Sequence, residues 1–93
     1  MLSDTYIIEN VTKLLPIDSA LYEDQLSILI GGAVNRLKNE GVDNIFEEDT
    51  NEAKDYIVCL SYQVAMDLDL DIDLERMKKQ YISRVVTLRT CNV

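Results

Sequence analysis

One amphipathic stretch, residues 17–41 with the sequence IDSALYEDQLSILIGGAVNRLKNEG, constrains the fold of this chain more than any other feature. Many of its apolar side chains follow the i, i+3, i+4, i+7 spacing of one helical face. They are Tyr22, Leu26, Leu29, Ile30, Ala33, Val34 and Leu37. Because an isolated helix is only marginally stable in water, such a face must be buried against other elements. The stretch therefore predicts a long helix over residues 20–40 on which the remaining segments pack.

The ends and the middle of this helix carry local signals. Asp18 or Ser19 is the expected N-cap, and Gly41 follows the last turn, where a left-handed glycine ends a helix at little cost. Gly31 and Gly32 lie in the helix interior, where each glycine costs about 1 kcal/mol relative to alanine. We interpret the pair as the site of a close helix–helix crossing, or otherwise of a kink.

Three further segments show apolar periodicity of the same kind. They predict helices over residues 4–15, 51–66 and 74–89. The chain holds three glycines and one proline in 93 residues, with few β-branched runs, and this composition favours helix over strand. A chain of this length suits one small domain with a single core. We therefore expect an all-α fold, a small bundle of about four helices in one domain over residues 1–93.

Capping residues mark the ends of the shorter helices. Ser3 or Asp4 is the expected N-cap of the first helix. That helix ends before Pro16, because the residue before a proline disfavours the helical region. We expect Asp49 to cap the third helix, with Glu52 in the capping-box position.

The third helix is expected to be the most buried of the four. Val58, Cys59 and Ala65 widen its apolar face beyond a single stripe. In the polar loop that precedes it, Ile45 and Phe46 are the expected apolar anchors.

Residues 66–74, MDLDLDIDL, alternate aspartate with apolar residues. A period of two is typical of a strand, but aspartate is a poor strand former and the chain offers no second strand for pairing. We therefore predict an extended or tightly turned acidic connection at 67–73. Asp71 or Asp73 is the expected cap of the last helix.

The sequence predicts neither a metal site nor catalysis. A helix–loop–helix calcium site needs glycine at its sixth position and glutamate at its twelfth, and counted from Asp67 these positions hold Ile72 and Lys78. The chain has no histidine, which excludes Ser-His and Cys-His nucleophile pairs and histidine metal ligands. Nothing sets two carboxylates apart in apolar surroundings, as acid–base catalysis requires. We expect no enzymatic activity, no bound metal and no cofactor.

The cysteines and tyrosines have structural interpretations. Cys59 lies in an apolar helical pattern and is expected in the core, whereas Cys91 is expected to be a free thiol in the tail. Tyr56, Tyr62 and Tyr81 are candidate stacking platforms for single-stranded nucleic acid, but basic residues do not alternate with them. Packing in a core or an interface is the favoured interpretation of all three.

Charge is unevenly distributed along the chain. The net charge of −8 argues against binding of duplex DNA through its phosphates and against an anionic membrane surface. Residues 43–75 carry eleven acids and one base, whereas residues 76–93 carry five bases and no acid. Such asymmetry can orient a subunit toward a partner or toward its own copies, and two solvated faces of opposite sign are the equally weighted alternative.

The last helix has a broader apolar face than one packing partner requires. Ile82 and Val86 lie beside its main stripe, which indicates contact with another chain. Arg84 and Arg89 are candidate docking residues, because arginine is enriched at interfaces, and a solvated face remains the alternative. The main stripe consists of Leu74, Met77, Tyr81, Val85 and Leu88.

With the helices placed, the chain resembles the small head–tail connector proteins of tailed bacteriophages, also called portal adaptors or head-completion proteins. The resemblance is carried by LYEDQLSILIGGAVNRLKNEGV over residues 21–42, EAKDYIVCLSYQVAMD over 52–67 and ERMKKQYISRVVTLRT over 75–90. These are patterns of apolar residues and caps, and Tyr81 matches a tyrosine of the family's final helix. The aspartate alternation at 66–74 departs from the polar loop that the family often has there.

The resemblance implies a structural virion protein at the head–tail junction, synthesised in the bacterial host cytoplasm. Such proteins form a ring, dodecameric like the portal, which extends the DNA channel below the portal and joins the next head-completion or tail protein. Phage DNA would pass through the ring without sequence-specific binding. The acidic charge agrees with such a channel, because negative charge lowers attraction to phosphates.

The interface is expected to use charged residues from both halves of the charge gradient. The candidates are Asp67, Asp69, Asp71, Arg76, Lys79, Arg84 and Arg89. The alternative function is a small cytoplasmic helical-bundle interaction module or regulator, which binds one protein partner through the wide face of the last helix.

Overall fold

A computed structural model describes the backbone of residues 1–17, 19–70 and 73–91, and their side chains except those of 19–23, 90 and 91. Within these residues the chain forms a small all-α bundle, as predicted, and no described residue lies in a strand. The four helices are α1 (Asp4–Leu14), α2 (Ser19–Asn39), α3 (Asn51–Leu68) and α4 (Leu74–Cys91).

Helix α3 is the centre of the bundle. Helices α1, α2 and α4 all pack against it. From Tyr56 to Ala65 every side chain of α3 is buried except that of Val58, which is half-buried. The prediction that α3 is the most buried helix is therefore confirmed, and its apolar residues surround the helix because it has neighbours on most sides.

Helix α2 packs through the predicted stripe. Leu26, Ile30, Ala33 and Leu37 are buried, and Leu29 and Val34 are half-buried against the core. The side chain of Tyr22 and the proposed cap at Asp18 lie outside the described residues.

The predicted end of α2 is confirmed in detail. Gly41 has φ 90°, which a glycine adopts without strain. Its N–H donates to the carbonyl of Lys38 at 3.0 Å, and the N–H of Val42 donates to the carbonyl of Leu37 at 2.8 Å. This pair of bonds is the Schellman motif, and the buried side chains of Leu37 and Val42 supply the apolar contact that accompanies it.

The predicted close crossing at the glycine pair is wrong. A Cβ atom added at Gly31 would meet no other atom within 4 Å, and one at Gly32 would lie 3.7 Å from the guanidinium of Arg36. Gly31 is exposed, so that no neighbouring helix requires its small size.

Capping of α3 also differs from the prediction. Thr50, with extended φ −87° and ψ 161°, is the N-cap, and its hydroxyl accepts a hydrogen bond from Ala53 N–H at 3.1 Å. Asp49 does not cap, because its φ is 63° whereas an N-cap residue has an extended backbone. Its N–H donates instead to the Tyr6 hydroxyl at 3.1 Å. Glu52 is consequently one residue short of the capping-box position.

The acidic connection is shorter than predicted, because α3 continues through Leu68. Asp69 then adopts a left-handed φ of 52°, and its N–H donates to the carbonyl of Met66 at 3.2 Å. Asp73 caps α4 as expected, since its carboxylate accepts a hydrogen bond from Arg76 N–H at 3.1 Å. Asp71 lies outside the described residues.

The N-terminus and the loop before α3 are fixed to each other. The Asn44 side chain accepts from Leu2 N–H at 2.9 Å and donates to the Leu2 carbonyl at 3.0 Å. Ser3 caps α1 as predicted, with its hydroxyl accepting from Tyr6 N–H. Of the two expected apolar anchors of the loop, Phe46 is buried against Tyr56, but Ile45 is 57% exposed.

The two conformational classes of glycine predict opposite effects of alanine substitution. Gly31→Ala is expected to raise the free energy of unfolding by about 0.5–1 kcal/mol, because alanine loses less backbone entropy in a helix. Gly41→Ala is expected to lower it by about 1–2 kcal/mol, because an L-residue is strained at positive φ. Urea denaturation of the two variants measures both effects. A loss of stability in Gly31→Ala would show that neighbouring atoms leave no room for a Cβ atom at this position.

Candidate protein interface

Three of the predicted interface residues are engaged within the chain. Asp67 accepts a hydrogen bond from the Arg36 guanidinium at 2.7 Å. Arg84 lies 3.4 Å from the carboxylate of Asp55, with both side chains about one-third exposed. Arg89 donates through Nε to the backbone carbonyl of Glu40 at the end of α2. These contacts join α2 to α3, α3 to α4 and α4 to α2 respectively.

The remaining predicted residues are exposed or outside the described part of the chain. Asp69, Arg76 and Lys79 are exposed, and Asp71 is not described. The structure thus divides the predicted residues into those that make contacts within the chain and those that face solvent. The distribution of charge along the sequence does not distinguish the two groups.

A polar network that the sequence analysis missed connects α2, α3 and α4, and it is buried at Gln63 and Tyr81 but exposed at Arg36 and Asp67. Gln63 on α3 is its centre: its amide oxygen accepts from Arg36 at 2.7 Å, and its amide nitrogen donates to the Tyr81 hydroxyl at 2.9 Å. Tyr81 donates in turn to the Glu40 carboxylate at 2.7 Å. With the Arg36–Asp67 contact at the other end, five side chains form one continuous chain of hydrogen bonds.

A sequence signal for this network exists in the spacing of its members. Arg36 and Glu40 are separated by one helical turn on α2, and Gln63 and Asp67 by one turn on α3. Two polar pairs at this spacing beside apolar stripes indicate polar rows that can face each other across a helix–helix contact.

Burial controls ionisation in this region. Burial, together with the hydrogen bond to Glu40, raises the pKa of Tyr81 to about 12. The hydroxyl is therefore neutral at physiological pH and can donate its proton to the carboxylate. The ring of Tyr81 also stacks on that of Tyr62, with centroids 4.8 Å apart.

Tyr56 and Cys59 are buried in the core. Burial raises the pKa of Tyr56 to about 12, and the Tyr56 hydroxyl has no hydrogen-bond partner among the described residues. Burial likewise raises the pKa of the Cys59 thiol to about 12, so the thiol is protonated and a poor nucleophile. The core positions predicted for Cys59, Tyr56, Tyr62 and Tyr81 are confirmed.

Two exposed surfaces combine apolar side chains with charge that is mostly of one sign. The acidic loop surface consists of Ile45 with Glu47, Glu48 and Glu52, and it contains a shallow hollow of about 290 Å³. The basic α4 surface consists of Lys78, Lys79, Ile82 and Val86, which span just over two turns of α4. The exposed Glu75 lies one turn before the lysines on the same face. Ile82 is 53% exposed and Val86 57% exposed, in agreement with the predicted surplus of apolar width. These surfaces are the candidate interfaces of the described chain.

The described residues hold no group of three or more Cys, Asp or Glu side chains placed to bind a metal ion. No helix in the described ranges combines the length and apolar content needed to cross a membrane. Comparison with protein-family models, with curated proteins and with solved structures finds no match to this chain.

Two tyrosine variants distinguish the contribution of the network's hydrogen bonds to stability from the contribution of core packing. Tyr81→Phe is expected to lower the free energy of unfolding by about 1–3 kcal/mol, because it leaves the buried amide of Gln63 without its acceptor. Tyr56→Phe removes a hydroxyl with no described partner and is expected to change stability by less than about 0.5 kcal/mol, or to increase it. Equal losses in the two variants, measured by urea denaturation, would contradict the network.

The raised pKa values predict loss of stability in alkali. The unfolded chain ionises at ordinary pKa values, near 10 for tyrosine, before the folded chain ionises near 12. The pKa of Cys59 is raised in the same way, from 9.0 to about 12. Stability is therefore complete below about pH 8 and falls as pH rises through 9–12, by about 1 kcal/mol per buried tyrosine at pH 11. Tyr56→Phe is expected to make this fall shallower. Denaturation midpoints that do not change between pH 8 and pH 11 would contradict the burial of these hydroxyls.

Proposed function

We propose that this chain is a structural subunit of the head–tail connector of a tailed bacteriophage or prophage. In this proposal it forms a ring below the portal, lengthens the DNA channel and joins the head to the next completion or tail protein. The observation that carries the proposal is the pair of oppositely charged surfaces, the acidic loop surface and the basic α4 surface, on different elements of one small bundle.

Two different complementary surfaces suit assembly into a ring. A two-fold dimer uses the same patch on both subunits, whereas a ring joins one patch of each subunit to a different patch of the next. In the proposed contact, Lys78 and Lys79 face the carboxylates of a neighbouring acidic loop surface, and Ile82 covers the neighbouring Ile45. Complementary charge fixes the register of such a contact and speeds its formation.

The net charge of −8 supports a channel role. DNA binding to a protein surface depends on neutralisation of phosphates by clustered lysine and arginine. A ring of strongly acidic subunits would attract DNA weakly, so that DNA passes without sequence-specific binding. The proposed partners are the portal, the next completion or tail protein and further copies of the chain, in the virion after synthesis in the host cytoplasm. The proposed role requires no cofactor and no catalysis.

Electron microscopy of induced lysates from a source strain that lacks the gene tests this function. We expect separated heads and free tails, and we expect complete particles when the wild-type gene is supplied in trans. Rescue by Ile82→Ser/Val86→Ser is expected to fall at least about tenfold in infectious particles, because the change removes apolar contact area from the basic α4 surface.

Ile28→Ser is the matched control for this variant. Ile28 is a still more exposed apolar residue, but it lies on α2 beside Leu29 and Leu68, which belong to neither surface, and its replacement is expected to leave rescue intact. Normal particles in the strain without the gene would reject the connector function. A purified complex of one copy with one partner protein would instead favour the interaction module.

A further inference from the structure

Helix α3 is uncovered at one place along its buried middle. Val58 is the only side chain between Tyr56 and Ala65 that is not buried, although α1 and α4 both pack against α3. Two hollows of about 320 and 310 Å³ lie over this position, and both are lined by Val58 and by Leu14 at the end of α1. The two hollows adjoin at Leu14 and Val58, and we call them together the α3 groove.

The floor of the α3 groove is apolar. Leu14 is 53% exposed at its centre, beside the half-buried Val58. Ile57 lines the end next to α1, and Met77 lines the end next to α4. A long apolar groove between helices has the form that accepts one face of an added helix, whereas a small ligand requires a more enclosed cavity.

The rim of the α3 groove is basic in a chain of net charge −8. Lys13 and Lys54 line its first hollow, which no acidic side chain lines among the described residues. Arg76 lines the second hollow together with Asp73, whose carboxylate is engaged in capping α4. Lys54 is also the single base among residues 43–75. The rim therefore attracts negative charge, although the chain as a whole repels it.

We infer that the α3 groove binds an acidic amphipathic helix of a partner protein. Apolar side chains of that helix cover Leu14 and Val58, and its carboxylates pair with Lys13, Lys54 and Arg76. The inference does not depend on the connector function. Of these residues only Arg76 belongs to the predicted interface set, and the partner helix is specified by its acidic and apolar side chains alone.

Selection from a display library of random 16-residue peptides tests the inference. The bait is the full chain, immobilised at its C-terminus. Enriched peptides are expected to carry excess glutamate and aspartate, with apolar residues at i, i+3, i+4 and i+7. Their affinity, measured by fluorescence anisotropy, is expected to fall at least about tenfold for Lys13→Glu/Lys54→Glu and for Leu14→Glu.

Lys38→Glu is the matched control for the single reversals Lys13→Glu and Lys54→Glu, which are measured beside the double variant. It changes net charge by the same amount as each of them, at an exposed lysine outside the α3 groove and outside both candidate interfaces. It is expected to change affinity less than about twofold. The inference is overturned if the enriched peptides carry no acidic excess, if Lys38→Glu weakens binding as much as Lys13→Glu and Lys54→Glu do, or if no peptide is enriched. Sedimentation that shows concentration-dependent dimers of the wild-type chain, abolished by Leu14→Glu, would assign the groove to a second copy instead.

Discussion

The amide group of Gln63 lies in the middle of a helix that is buried on nearly every side, and its hydrogen bonds must be satisfied there. An unpaired buried polar group costs about 1–3 kcal/mol, a large fraction of the stability of a small domain. The arrangement of α2 and α4 around α3 meets this requirement: Arg36 reaches the amide oxygen from one side and the Tyr81 hydroxyl reaches the amide nitrogen from the other. The bonds have defined directions, and they link the three helices at these positions in addition to the apolar core.

The packing of α1, α2 and α4 around α3 also determines which apolar side chains remain on the surface. The apolar stripes of α1, α2 and α4 face α3 and complete the core. Ile7, Leu37 and Leu88 are buried members of these three stripes. Ile82 and Val86 on α4 and Leu14 on α1 then lie outside this core and remain largely exposed. In a chain this small, apolar side chains that the core does not use are available for contacts with other molecules. Both the basic α4 surface and the α3 groove follow from this division.

The sequence predicts what depends on local patterns, and it fails where tertiary contacts decide. Helical periodicity located the four helices, and Gly41 marked the end of α2 because a left-handed residue there has a simple backbone cause. Thr50 rather than Asp49 caps α3, because Thr50 has the extended backbone of an N-cap whereas Asp49 is left-handed, with its N–H donating to Tyr6, a residue from another helix.

The same limit applies to the charged residues. Asp67, Arg84 and Arg89 are residues of types that are common at interfaces. Within the chain, however, they contact Arg36, Asp55 and Glu40 respectively, and these contacts follow only from the packing of the helices. The exposed part of the candidate interface is therefore smaller than the charge gradient indicates. Its apolar members, Ile82 and Val86, were predicted from the width of the α4 face.

Chemical cross-linking in assembled particles tests the proposed subunit contact most directly. In a chain with Cys91→Ser, which leaves Cys59 as the buried native thiol, Ile45→Cys and Ile82→Cys are introduced singly and together and treated with a short bis-maleimide. The account predicts a ladder of covalent oligomers only when both cysteines are present, because each contact joins the acidic loop surface of one subunit to the basic α4 surface of the next. Absence of a ladder in the double variant, or equal cross-linking of the single variants, would contradict it.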